Sequence, residues 1–260
     1  YERTSSLVGS EMCIRDRAKP LTTVTVTSTE RIPMVLLLDS HLTHNQKQQL
    51  ITNIQHTSAS QSMVTATITT TGAVTFKGQL LNSDNRPYLQ VQLPTAVNAE
   101  QQAQLIKRVL TLAQQHFEFQ RFNLIGYGTG GLSATNYVEH TTTHLTPQHL
   151  ILIATPFNGT SQQNNHRHKT TPVASKSQTT TLAKLIAHRQ SISPKLKVLI
   201  IAEKVVKAKQ SLPLQSALAG QSVFKPVVKS YRQKILRSWR TQSDLLDNRQ
   251  IGNAIQSFTD

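Results

Sequence analysis

The chain has 260 residues, 37% hydrophobic, 16% charged and 5% aromatic, which is enough for one sizeable core. No run of 18 apolar residues occurs, so nothing in the sequence reads as a membrane-spanning helix. The formal net charge of +15 is unevenly placed: residues 18–165 carry 8 Lys or Arg against 6 Asp or Glu, whereas residues 166–260 carry 17 against 4. A one-sided positive field favours an anionic partner, since plain solvated surface would intersperse more acids.

Residues 1–17 stand apart. Leu7-Val-Gly-Ser-Glu-Met-Cys-Ile-Arg-Asp16 resembles the translation of a sequencing-library adapter. The segment is expected to be an assembly artefact fused to a truncated gene, packed against nothing, with any signal peptide or anchor lost from the sequence. Cys13, the only cysteine, falls within it, so residues 18–260 offer neither a disulfide nor a thiolate metal site. Thr alternates with Val in residues 21–29, and residues 18–31 read as a linker or edge strand. Residues 32–260 read as a single domain.

Ile32-Pro-Met-Val-Leu-Leu-Leu38 is a continuous apolar run, as expected of a strand buried on both faces. Residues 41–54 are polar with weak helical spacing. Short β-type segments follow at 63–69, 74–77 and 88–93, with turns at Thr71-Gly72 and residues 82–87. Asn98-x-x-Gln101 predicts a capping box, opening a helix with Leu105, Ile106, Val109, Leu110, Ala113 and Phe117 on one face. Buried strands are predicted at 122–125, 149–154 and 197–202, with short helices at 182–188 and 251–258. Residues 160–181 have hardly an apolar anchor and read as a mobile loop. The alternation of strand and helix predicts a mainly parallel, doubly wound α/β sheet.

Between the strand at 122–125 and the helix starting near Leu132 lies Gly126-Tyr-Gly-Thr-Gly-Gly131. This is the outline of a nucleophile elbow, Gly-x-Ser-x-Gly, in which a serine sits at the tip of a strained strand-to-helix turn. Gly126 and Gly130 fill the flanking positions, but Gly128 stands where the serine would be. The same run satisfies Gly-x-Gly-x-x-Gly and admits a dinucleotide-binding oxidoreductase as an alternative. That fingerprint needs an acidic residue about 20 positions on, and the next strand ends Ile153-Ala154-Thr155 without one.

Ile32-Pro33, Val74-Thr-Phe-Lys-Gly78, Asn123-Leu-Ile-Gly126, Gly130-Gly-Leu-Ser133 and Pro156-Phe-Asn-Gly159 together resemble a group of α/β-hydrolases of uncharacterised function. These are found as cell-surface proteins in Gram-positive bacteria, and the resemblance covers residues 32–258. It implies an α/β-hydrolase fold with a small β insertion and an extracellular or cell-surface location. It also implies a Ser nucleophile, a His base, an Asp orienter and an oxyanion hole of backbone N–H groups. The nucleophile position is Gly128. Leu38-Asp39 stands where a His-Gly oxyanion motif would follow the first core strand, with Thr129 as the other N–H contributor. A carboxylate there would repel a developing oxyanion. The acid position, four residues before Pro213, is Lys209, and the base position is Gln242 of Gln242-Ser-Asp-Leu-Leu246. None of the three carries the family's side chain. The expectation is a degenerate triad, no cofactor, and a non-catalytic envelope-associated binding protein.

The alternative within this fold is an active serine-type ester or acyl hydrolase with Thr129 or Ser133 as displaced nucleophile. Both positions suit first-turn hydrogen-bonders better. His166-Arg-His168 lacks a nearby carboxylate or Cys and reads as solvated loop rather than metal site, and His41 and His44 read as surface residues. The basic residues Lys204, Lys207 and Lys209, followed by Lys225, Lys229, Arg232, Lys234, Arg237 and Arg240, are expected on one face beside the former active site. They would hold an anionic cell-envelope polymer or lipid headgroups. Nucleic acid is disfavoured, because this half offers only Phe224, Tyr231, Trp239 and Phe258 as stacking platforms and no recognition motif.

Overall fold

The computed structural model describes residues 12–13, 30–58, 60, 62–81, 83–95, 97–141, 145–206, 211–238 and 245–260. Lys207, Lys209, Arg240 and Gln242 lie outside them, as do nearly all of residues 1–29. The described strands are β1 (Met12–Cys13), β2 (Met34–Leu37), β3 (Met63–Ile68), β4 (Val74–Gln79), β5 (Tyr88–Gln92), β6 (Asn123–Tyr127), β7 (His149–Ile153), β8 (Lys197–Val205) and β9 (Ser230–Ser238). They form one sheet in the order β1-β4-β3-β5-β2-β6-β7-β8-β9. The four apolar runs are β2, β6, β7 and β8, adjacent and parallel as their composition predicts. The segments expected as a small β insertion are β3, β4 and β5 of this same sheet, β4 running antiparallel to β3.

The helices are α1 (His44–Gln55), α2 (Ala99–Phe117), α3 (Thr129–His140), α4 (Thr180–His188), α5 (Leu214–Leu218), α6 (Gln221–Phe224) and α7 (Gln250–Thr259). Alternation along each strand sends side chains to two layers. Val35 and Leu37 pack into the layer that holds Ile106, Val109 and Leu110 of α2, together with Ala134 and Tyr137 of α3. Met34 and Leu36 pack into the other, with Leu50 and Ile54 of α1 and Ile251 and Ile255 of α7. The Asn98–Gln101 capping box closes reciprocally, each side chain accepting the other's backbone N–H.

Three expectations are corrected. Residues 160–181, expected as a mobile loop, are anchored largely by polar groups, with Val173 packed into the core. Asn158, fully buried, donates its amide to Asn165 Oδ1 at 2.9 Å and to the Ser177 carbonyl at 3.0 Å, and accepts the Thr179 N–H at 2.7 Å. Met12–Cys13, within the segment expected to pack against nothing, pair antiparallel with Phe76 and Thr75 on the outer edge of β4. The pairing extends the sheet by one short strand at the β4 edge. The third is β9, which the hydrophobic pattern misses. Its Tyr-Arg-Gln-Lys-Ile-Leu-Arg run is charged because it is an edge strand, where cations blunt unwanted pairing.

Glu139 lies in the buried face of α3, 5% exposed, and neither carboxylate oxygen has a hydrogen-bond partner among the described residues. Burial pushes its pKa up to about 8, so the folded chain keeps the carboxyl protonated at neutral pH while the unfolded chain ionises it near 4.5. The folded pKa is the raised one. Its contribution is therefore fully present below about pH 4.5 and lost as pH rises towards about 8. A Glu139→Gln variant, neutral throughout, should gain urea midpoint relative to the wild type as pH rises from 5 to 8. A constant difference across that range would show that Glu139 is not buried uncharged.

Candidate functional site

The elbow is built by close packing at its glycines. A Cβ on Gly126 would lie 2.5 Å from Gly131 Cα, and one on Gly130 would lie 2.0 Å from the Leu37 carbonyl oxygen. On Gly131 it would meet Thr155 Oγ1 at 1.9 Å. The Gly-x-Gly-x-x-Gly pattern thus serves to seat α3 against β2 and the end of β7. Gly128, at the tip, has φ 58° and ψ −128°, outside the comfortable range of any residue with a side chain. Its N–H donates to the Ile153 carbonyl at 2.9 Å, so the strained turn is locked to β7.

Asp39, two residues past β2, lies directly over this tip. Its Oδ2 accepts the Thr129 N–H at 3.0 Å, and its Oδ1 accepts the His41 N–H at 2.9 Å and lies 2.9 Å from His41 Nδ1. A Cβ on Gly128 would fall 2.4 Å from Asp39 Oδ2. Gly128 supplies no side-chain cap to α3, and the Asp39 carboxylate takes over that role at the positive end of the helix. Burial works against its charge, but the Thr129 and His41 N–H groups outweigh it and hold the pKa below the usual carboxylate range. The anticipated oxyanion residues Leu38, Asp39 and Thr129 are therefore brought together, and an anion of the chain itself sits at the N–H that would receive the oxyanion.

Beside the tip lies a cavity of about 390 Å³, lined by Asp39, Tyr127, Gly128, Glu203, Leu212 and Leu245 among others. Burial, with Glu203 and Asp39 nearby, pushes the Tyr127 hydroxyl up to about 12, so it stays protonated. A second cavity, of about 540 Å³, is lined by Leu38, His41, Gln92, Gln102, Thr129 and Ser133 among others. Ser133 Oγ donates to Gln102 Oε1 at 2.7 Å and lies 3.3 Å from the Thr129 carbonyl oxygen, so its hydroxyl is engaged by acceptors instead of a base.

The sequence missed two residues of this site. His41, read as plain surface, pairs with Asp39, and the Asp39-Ser-His41 spacing was the only signal of it. Glu203, which directly follows the apolar run at 197–202, gave no signal in the pattern, and it is 8% exposed. Lys207, Lys209 and Arg240 of the anticipated basic face lie outside the described residues, and its described members are spread along β8, β9 and the segment before β9. Lys204 is in register with Arg237 towards the carboxyl ends of β8 and β9. Lys225 and Lys229 precede β9, with the Lys229 N–H on the Pro194 carbonyl at the opposite end of the sheet. At ~3.3 Å per strand residue, Lys229 and Arg237 are ~26 Å apart. Arg232 turns to α7, its guanidinium 5.8 Å from the Phe258 ring centroid. The acid and base positions, Lys209 and Gln242, lie outside the described residues.

Residues 22–259 match the profile of a family described as alpha/beta hydrolase of unknown function (DUF915). The chain belongs to this family. A candidate cell surface hydrolase from Lactobacillus plantarum WCFS1 is similar in structure, with a TM-score of 0.73 and 23% identity over 89% of this chain and 92% of that one. A gene product of Listeria innocua gives 0.76 and 20% identity over 89% and 94%. A thermostable carboxyl esterase from Bacillus coagulans, at 0.54 and 9% identity over 90% and 91%, shares the α/β-hydrolase fold alone. No curated protein matches the sequence.

The contact between Asp39 and the tip predicts a measurable coupling. Gly128→Ala should destabilise by about 1–3 kcal/mol, from the positive φ and the clash with Asp39. Asp39→Ala should also destabilise, by removing the cap of α3, at a cost of about 0.5–2 kcal/mol. In the double variant the clash is gone, so its loss should fall short of the sum by about 0.5–3 kcal/mol. Additive losses in urea unfolding would place Asp39 elsewhere.

Proposed function

We propose that this member of the family is a non-catalytic pseudo-hydrolase that acts at the cell envelope by binding an anionic polymer. The observation that carries the loss of chemistry is the Asp39 carboxylate on the Thr129 N–H, pressed over a glycine where the nucleophile would stand. A carbonyl oxygen approaching that N–H would meet an ionised acid, and Gly128 has nothing to attack with. Both requirements of acyl transfer, an activated nucleophile and free oxyanion donors, are absent from the tip. What supports the envelope location is the Lactobacillus neighbour, described as a candidate cell surface hydrolase. The excess of cations in residues 166–260 supports an anionic partner.

A second reading, an ester or acyl hydrolase with a displaced nucleophile, draws on the Asp39–His41 pair, an imidazole oriented by a carboxylate. Against it, the His41 side chain is 86% exposed and the Ser133 hydroxyl is turned to Gln102. Hydrolysis of short p-nitrophenyl esters separates the two. The wild type should run at the rate of the buffer blank. Gly128→Ser should restore little, because Asp39 occupies the space the serine needs. Wild-type turnover that disappears in His41→Ala and in either Thr129→Ala or Ser133→Ala would overturn the non-catalytic reading.

A further inference from the structure

β9 and α7 enclose a groove of about 510 Å³ that shares no lining residue with the cavity at the elbow. Its floor is Leu199, Ala254 and Phe258. Along the strand wall stand Arg232 and Lys234, two residues apart on one face of β9 and therefore ~7 Å from each other. Along the helix wall stand Gln250, Asn253 and Ser257, one stripe of α7 ~10 Å long at 1.5 Å per residue. The Arg232 guanidinium is steadied over the Phe258 ring, and no carboxylate is among the described residues that line the groove.

We propose that this groove binds one stretch of an extended phosphodiester polymer with hydroxyl-bearing repeat units. The site deepens the envelope-polymer reading given above and rests on it. Two cations set apart along a strand suit charges repeated along a chain better than one small anion, and a guanidinium matches phosphate oxygens in two-point geometry. The facing row of amides and a hydroxyl offers donors and acceptors to polyol or sugar hydroxyls between the phosphates. Bases are poorly served, since Phe258 is the one aromatic among the described residues that line the groove and is nearly buried beneath Arg232. Both cations are exposed, so each contact is weak, and affinity comes from several acting together and falls with salt.

The test is binding of fluorescent poly(glycerol phosphate) to the full chain at 50 mM and 500 mM NaCl. Wild type is compared with Arg232→Gln/Lys234→Gln, with Lys225→Gln/Lys229→Gln, and with Ser257→Asp. The two double variants lose the same charge, one within the groove and the other ahead of β9, outside the residues that line it. The groove variant should weaken binding about tenfold at low salt, and Ser257→Asp should do so from the helix side, while the Lys225/Lys229 variant changes it less than about threefold. If the wild type does not bind at 50 mM NaCl, the envelope-polymer reading itself falls. If both double variants weaken it equally, or the groove variant and Ser257→Asp leave it unchanged, the polymer reading stands and the groove is rejected. Single-stranded DNA bound as tightly, with the same sensitivity to these changes, would make nucleic acid the ligand and overturn the proposal.

Discussion

The bond from the Thr129 N–H to Asp39 is the constraint on which the rest of the site depends. It joins the loop after β2 to the first turn of α3, and it does so across a residue with no side chain. The first turn of any helix leaves N–H groups without intrahelical partners, and the helix dipole favours an anion there. In a working elbow that demand is left open for substrate. Here the chain meets it internally, with a carboxylate whose charge is stabilised by the same donors. The geometry of an oxyanion site and the geometry of a capped helix are the same geometry with different occupants.

Asp39 and Gly128 have to be read as a pair. With φ at 58° the tip strains any residue that has a Cβ, and the Asp39 oxygen stands within 2.4 Å of where that Cβ would be. A serine and this carboxylate compete for one volume, so the chain can hold either but not both in this arrangement. Gly126, Gly130 and Gly131 answer to a different demand. Each faces backbone or the Thr155 side chain at distances no Cβ tolerates, so they hold α3 against the sheet whether or not chemistry follows. Loss of a nucleophile therefore leaves the rest of the motif under undiminished packing pressure. The outline of the elbow survives in the sequence for that reason.

This also explains what was legible before the structure. β2, β6, β7 and β8 are buried on both faces, so their composition announces them, and the capping box of α2 is a local device with a local signature. β9 has one edge unpaired among the described strands and little buried side-chain surface, and its charges conceal it. The polar stretch after Asn158 reads as loose because its anchors are amides, which carry no periodic signal. Long-range placement was beyond pattern reading altogether. Asp39 meets Thr129 across 90 residues of chain, and Lys229 and Arg237, eight residues apart, lie at opposite ends of β9.

The charge distribution follows the same logic. A net charge of +15 suggests one positive surface, yet Asp39 and Glu203 line the cavity beside the elbow and raise the Tyr127 pKa. An anion guided towards the protein by its overall field would be turned away at the elbow tip, since nearby carboxylates dominate over charges further off than a Debye length of ~8 Å at physiological salt. Among the exposed cations are those of β9, whose strand geometry places Arg232 and Lys234 on the side facing α7. An edge strand needs surface charge to avoid pairing with a neighbour, and a strand so protected is already a row of cations at a fixed repeat. Under the proposed function, protection against aggregation and recognition of a polyanion would draw on the same residues.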